Sequence, residues 1–156
     1  MADILDSEQL KRNILSDMRV ELTEEFDRNF ERKAFFDKRW PKRRYNNPKG
    51  SLLMVTGTLR RSIRSTTSRN GVRFTSAVPY AAIHNEGGSG TKTVRSHTRR
   101  GKGGKTHAVR AHSRRFKMPE RRFIGDHPRV HDIINNVVKD NIEVFATALA
   151  RQLKTK

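Results

Sequence analysis

Ten lysine and arginine side chains, and no aspartate or glutamate, lie between Gly88 and Lys117. They are Lys92, Arg95, Arg99, Arg100, Lys102, Lys105, Arg110, Arg114, Arg115 and Lys117. Cations at this density suit phosphate contact: they displace its counterions, and the glycines among them let the backbone follow an irregular surface. They cannot form a core, because an unpaired cation loses its hydration on burial. The stretch contains two near-copies of a heptad, Val94-Arg95-Ser96-His97-Thr98-Arg99-Arg100 and Val109-Arg110-Ala111-His112-Ser113-Arg114-Arg115. Between them lies the turn-like run Gly101-Lys102-Gly103-Gly104-Lys105. Neither heptad holds a phenylalanine, tyrosine or tryptophan, so base stacking is not indicated and contact with a nucleic acid would be independent of sequence. The second partner class is an acidic protein surface, on which a charged tail could order. The plainest reading is a solvated charge run.

Other chemistry finds few residues. His97, His107 and His112 have no carboxylate or thiolate nearby, and the surrounding cations repel a divalent ion, so no metal site is expected. No nucleophile, base and orienting group stand in a recognisable set, and no serine occupies a Gly-x-Ser-x-Gly elbow. Gly87-Gly88-Ser89-Gly90 lacks the strand–turn–helix setting of a phosphate loop. The expectation is a protein that is not an enzyme and takes no cofactor.

A chain of 156 residues is expected to form one domain, 1–156, with the basic stretch 88–117 as an insertion. The net charge of +18 is unevenly spread: residues 1–33 carry −3, residues 34–50 carry +5 and residues 88–117 carry +10. With no cysteine, disulfides and thiolate zinc sites are excluded. No apolar run approaches the roughly 18 residues of a membrane span. Met1 to Ser7 lacks the basic-then-apolar order of a signal peptide, so synthesis in the cytosol is expected.

The elements that must carry the basic stretch follow from periodicity. Leu10, Ile14, Met18, Leu22, Phe26 and Phe30 recur every four residues, which predicts an amphipathic helix over 7–33 with Asp6 or Ser7 as its cap. It is expected to fray near Ala34-Phe35-Phe36 and to stop at Trp40-Pro41, with Lys42 to Gly50 as a basic surface loop. Trp40, the only tryptophan, is expected to anchor the helix exit. Thr58 to Ile63 suits a helical turn or a strand lead-in. Ile63 to Ser68 and Val72 to Val78 flank Arg69-Asn70-Gly71, a hairpin signal because Asn and Gly tolerate positive φ. Tyr80 to His84 suits a helical turn. The basic stretch is either disordered or a hairpin with its tip near Gly101 to Gly104, and in-register pairing about that tip would set Arg95 against Arg110. Asp126 is expected to cap a last helix with Pro128 in its first turn and an apolar face from Val130 to Leu153. The class is α+β: a small antiparallel sheet packed by N- and C-terminal amphipathic helices, with a long basic hairpin or loop.

Three segments, in order, carry a resemblance. They are Leu53-Met54-Val55-Thr56-Gly57-Thr58-Leu59-Arg60-Arg61-Ser62-Ile63, then Val78-Pro79-Tyr80-Ala81-Ala82-Ile83-His84-Asn85-Glu86-Gly87-Gly88, then Met118-Pro119-Glu120-Arg121-Arg122-Phe123-Ile124-Gly125. Together with Trp40 after an amphipathic helix, they resemble the phage virion morphogenesis and tail-completion family of tailed bacteriophages over roughly residues 7–150. Arg122 departs from the pattern, where proline is frequent, and so does the length and charge of 88–117. The resemblance implies a structural virion protein, made in the host bacterial cytoplasm, that forms a homo-oligomeric ring, expected to be a hexamer, at the junction of neck and tail. Its implied partners are neighbouring neck and tail proteins and the double-stranded genome, with no membrane. Trp40, Gly57, Leu59, Tyr80, His84, Gly87, Arg121 and Phe123 are the implied structural or inter-subunit residues. Gly57 and Gly87 would permit tight reversals, Tyr80 would plug the sheet edge, and Arg121 would pair with acidic groups across a subunit joint. A tail-terminator ring and a stand-alone nucleic-acid-binding protein are the alternatives.

Overall fold

The computed structural model describes residues 7–44 and 49–154. The first helix, α1 (Ser7–Arg32), forms where expected, but its apolar stripe is used unevenly. Leu22, Phe26 and Phe30 are buried, together with Glu25 and Asn29. Leu10, Ile14 and Met18 stay half-buried. The proposed cap Asp6 and residues 45–48 of the expected surface loop lie outside the described residues.

The helix stops at Arg32, within one residue of the expected 33, and the chain turns back before Trp40-Pro41 is reached. Lys33 takes a φ of 53° and reverses the chain into a short hairpin, β1 (Ala34–Phe35) against β2 (Lys38–Arg39). The physical reason is the phenylalanine pair. Folding back lays Phe35 and Phe36 into the core beside Phe26, with Phe26 and Phe36 centroids 6.4 Å apart, whereas a continuing helix would carry them away from it.

A five-residue helix, α2 (Thr58–Ser62), leads into β3 (Ile63–Ser68) and β4 (Gly71–Ser76). The hairpin is present, but its turn is one residue off the expected Asn-Gly position. Gly71 pairs with Ser68, so Arg69 and Asn70 make the turn, and neither they nor Gly71 has positive φ. Next come α3 (Ala81–Glu86), β5 (Gly88–Val94), β6 (His97–Arg100), β7 (Thr106–Val109), β8 (His112–Met118) and α4 (Pro128–Lys154). The α+β class holds. The described strands form four separate two-stranded antiparallel ladders in place of one sheet.

Helices α1 and α4 pack together, tied by the Asn141 amide donating to Asp17 at 2.9 Å. One core cluster joins Leu22, Phe26, Phe35, Phe36 and Val130; the other joins Phe30, Trp40, Leu59, Ala81 and Phe123. Arg60 of α2 forks onto Asp27 and reaches Glu31 at 2.7 Å, stapling α2 to α1 and holding its guanidinium firmly protonated through those two carboxylates. The expected cap of α4 is corrected. Nδ1 of His127 accepts from the Arg129 amide at 3.2 Å, while Asp126 pairs with His131 at 2.7 Å. The imidazole wins because it also stacks on Phe36 at 4.3 Å and meets Asp37 at 3.0 Å, which fixes it over the helix start.

Candidate functional site

The basic stretch is a two-part hairpin. β5 pairs with β8 at its base and β6 with β7 at its tip, both antiparallel. The register runs through the break between them: Val94 faces His112, and His97 faces Val109. The first four residues of each heptad therefore cross one another about a local two-fold, and the repeat has a structural meaning. In both copies the imidazole Nδ1 lies near the carbonyl of the arginine two residues back, His97 to Arg95 at 3.0 Å and His112 to Arg110 at 2.9 Å.

That register corrects the expected Arg95–Arg110 opposition. The two arginines fall in the unpaired break, offset from each other, while Lys92 faces Arg114 directly. Like charges across a ladder destabilise it by a few tenths of a kcal/mol to about 1 kcal/mol unless an anion lies between them. All ten cations are exposed, and none pairs with a carboxylate among the described residues. Arg99 faces His107, and no group of acids and histidines suited to a metal occurs among the described residues. At the base, Phe116 lies across Gly90, where a Cβ would meet the ring at 2.9 Å. An aromatic ring over a glycine helps to pin the register of the ladder. At about 3.3 Å per residue the arms are roughly 40 Å long, so the charges run from Lys117 at the base to Lys102 and Lys105 at the tip.

The three sequence segments that carried the resemblance meet around one recess of about 280 Å³. Leu53, Val55, Thr56, Thr58 and Leu59 line it from the first segment, Tyr80 and His84 from the second, and Arg121 from the third, with Arg43 and Leu52 alongside. Arg121 is buried. Its Nε donates to the Pro41 carbonyl at 3.0 Å and Nη2 to the Lys42 carbonyl at 3.3 Å, so it fastens the chain after Trp40. Tyr80 is exposed and meets the His84 ring edge-on at 5.8 Å. Leu59, Trp40 and Phe123 are core, with Trp40 donating to the Arg122 carbonyl at 2.6 Å. Gly57 (φ 69°) starts α2 and Gly87 (φ 74°) ends α3, each a reversal at positive φ. Arg122, at the position where proline is frequent, pairs with Glu120 at 3.2 Å and lies over the Phe35 ring at 5.8 Å.

Sequence reasoning missed the groups that hold this arrangement. Asn29, fully buried, donates to the Phe123 carbonyl at 3.1 Å and accepts from the Phe36 amide at 3.0 Å. Asn85 accepts from the amides of Phe123 and Ile124 at 2.9 and 3.1 Å. The signal was an asparagine beside Phe26 and Phe30 on an apolar stripe, where a polar side chain must have fixed partners. Asn29→Leu is expected to cost about 2 kcal/mol, because it strands a buried amide and a buried carbonyl. A lowered urea midpoint at unchanged slope would register it.

Two titrating groups make the fold acid-sensitive. His84 is pushed below the ordinary histidine value, first by burial and then by the charge of Arg121. The folded state resists its protonation, so stability is full above the unfolded value near 6.5 and is lost as pH falls from there through the folded pKa. Glu25 is held below the ordinary 4.5: burial works against this, and Arg32 at 2.6 Å with Arg28 at 3.0 Å overcomes it. Its contribution is present above 4.5 and lost below. The thermal midpoint is expected to fall in two stages on acidification, and His84→Asn should remove the upper one.

Comparison with curated proteins and with solved structures gives no match. A model of the phage virion morphogenesis family matches residues 2–143, a span that takes in α1, the recess, the whole hairpin and the first half of α4. The chain belongs to the phage virion morphogenesis family.

Proposed function

We propose that this virion morphogenesis protein is a non-enzymatic tail-completion subunit. In this reading it assembles into a ring, expected to be a hexamer, at the junction of neck and tail. Its hairpin grips the double-stranded DNA that occupies the channel. The observation that carries the reading is the hairpin itself: ten exposed cations with no carboxylate partner among the described residues, including a like-charge pair that an intervening phosphate would relieve. Six copies would bring roughly sixty charges to one level of the channel. Apolar surface supports self-association: Ile142 and Leu153, which fall on one side of α4, are 49% and 70% exposed.

Electron microscopy of the purified protein, with duplex-DNA binding measured across a salt series, tests this. Rings whose log affinity falls with log salt by about 0.9 per phosphate neutralised are expected. Monomers with the same salt slope would favour a stand-alone nucleic-acid-binding protein. Rings without DNA affinity would turn the hairpin toward an acidic neighbouring ring. A tail-terminator ring shares this architecture and differs in its position in the particle.

A further inference from the structure

The recess at the meeting of the three segments holds an uncompensated charge. Arg121 is only 6% exposed, yet its guanidinium meets neutral acceptors alone: the carbonyls of Pro41 and Lys42 and, at 3.8 Å, the Met118 sulfur. No carboxylate pairs with it among the described residues. Taking such a cation out of water costs several kcal/mol unless an anion answers it. Arg43, itself held by the carbonyls of Gly50 and Ser51, adds a like charge beside it. His84 also lines the recess, and its Nδ1 is buried with no hydrogen-bond partner among the described residues. Leu53, on the wall, is held at a φ of 58°, a conformation a leucine adopts only when its surroundings impose it.

The Arg121 guanidinium, with no carboxylate of its own among the described residues and walled by leucine, valine and tyrosine, suits a carboxylate at the end of a short aliphatic stem. A recess of about 280 Å³ admits a side chain, whereas a duplex backbone is too broad to enter it. The complement lies on α1. Asp17, Val20, Glu21 and Glu24 fall at the i, i+3, i+4, i+7 spacing of one helix stripe. Val20 is 48% exposed at its centre. Asp17 accepts from Asn141 and Glu24 pairs with Arg28, while Glu21 is exposed and has no partner among the described residues. Val55 and Tyr80 at the rim of the recess, 49% and 43% exposed, offer the matching apolar contact.

We propose that the recess is a carboxylate socket, and that its occupant is Glu21 from the first helix of a second copy of this chain, with Val20 seated against Val55 and Tyr80. The assignment of the occupant rests on the oligomeric reading above; the socket does not. Donor helix and acceptor recess are different surfaces, so the contact is heterologous and can close a ring.

The test uses the full chain in two measurements. In the Glu21→Gln variant, whose socket is left empty, the His84 ring resonances are followed while sodium acetate and, separately, inorganic phosphate are added. A saturable shift with acetate that phosphate does not match is expected. No shift with acetate, or a stronger one with phosphate, overturns the socket. In the second measurement, sedimentation compares assembly of the wild type with Glu21→Gln and with the control Glu143→Gln. At least a tenfold weaker assembly for Glu21→Gln alone is expected. Equal assembly of all three overturns the assignment to Glu21. A wild type that stays monomeric at every concentration overturns the occupant and the ring together, while the acetate shift still decides the socket.

Discussion

Replacing Lys92, Arg95, Arg99, Arg100, Arg114 and Arg115 with glutamine is expected to lower duplex-DNA affinity by roughly a thousandfold at about 0.1 M salt. The thermal midpoint should hold or rise slightly. These six side chains are exposed and touch no carboxylate among the described residues, so their removal leaves no anion stranded. It also relieves the direct opposition of Lys92 and Arg114. The salt slope should fall by about 0.9 for each phosphate that is no longer neutralised. Affinity should drop equally on unrelated DNA sequences, since no base-reading group is involved. A variant that binds as tightly as the wild type would put the phosphate contacts elsewhere, for instance on Lys38 to Arg44.

The second large effect concerns the hinge between core and hairpin. Gly87 combines a φ of 74° with a ψ of −173°, a region open in practice to glycine alone. A Cβ placed there would lie 2.8 Å from the Glu120 amide nitrogen and 3.2 Å from the Met118 carbonyl, both backbone atoms of the segment returning from the hairpin. Neither can move without breaking the ties that Asn85 and the His84 carbonyl make to Arg121, Phe123 and Ile124. Gly87→Ala is expected to cost roughly 3 kcal/mol or more. For a chain of this length that is about a 6 to 12 °C fall in thermal midpoint. Gly57→Ala offers a contrast: its positive φ is strained too, but the Cβ would meet only the Arg61 guanidinium, which can swing aside. A smaller fall is expected there.

Legibility in the sequence followed the strength of each physical signal. The four-residue stripe of α1, the continuous apolar face of α4 and the Arg69-Asn70-Gly71 turn mark real elements, because periodicity and turn chemistry are local. The end of α1 was legible to within one residue, 33 against Arg32, but the reversal that follows it was not. Lys33 carries no glycine-like signal at its positive φ, and only the burial of Phe35 and Phe36 explains the reversal. The cap of α4 was misread for a similar reason: Asp126 is the better capping residue in isolation, but stacking on Phe36 fixes His127 in its place. The ten hairpin cations were readable by composition alone, while their register, and so the Lys92–Arg114 opposition, needed the paired strands. The recess was readable only in part. Tyr80, His84 and Arg121 stood out in separate segments, yet their meeting at one point depends on Asn29 and Asn85, whose hydrogen bonds span 94 and 38 residues of chain.

The central claim is that copies of this chain form a ring whose hairpins reach the genome at the neck–tail junction. Electron cryo-microscopy of the intact phage particle tests it most directly. A closed ring is expected at that junction, with α1 of each subunit against the recess of the next and the hairpins turned inward onto duplex density. A ring elsewhere in the particle, or hairpins pointing outward away from both DNA and the adjoining ring, would contradict it.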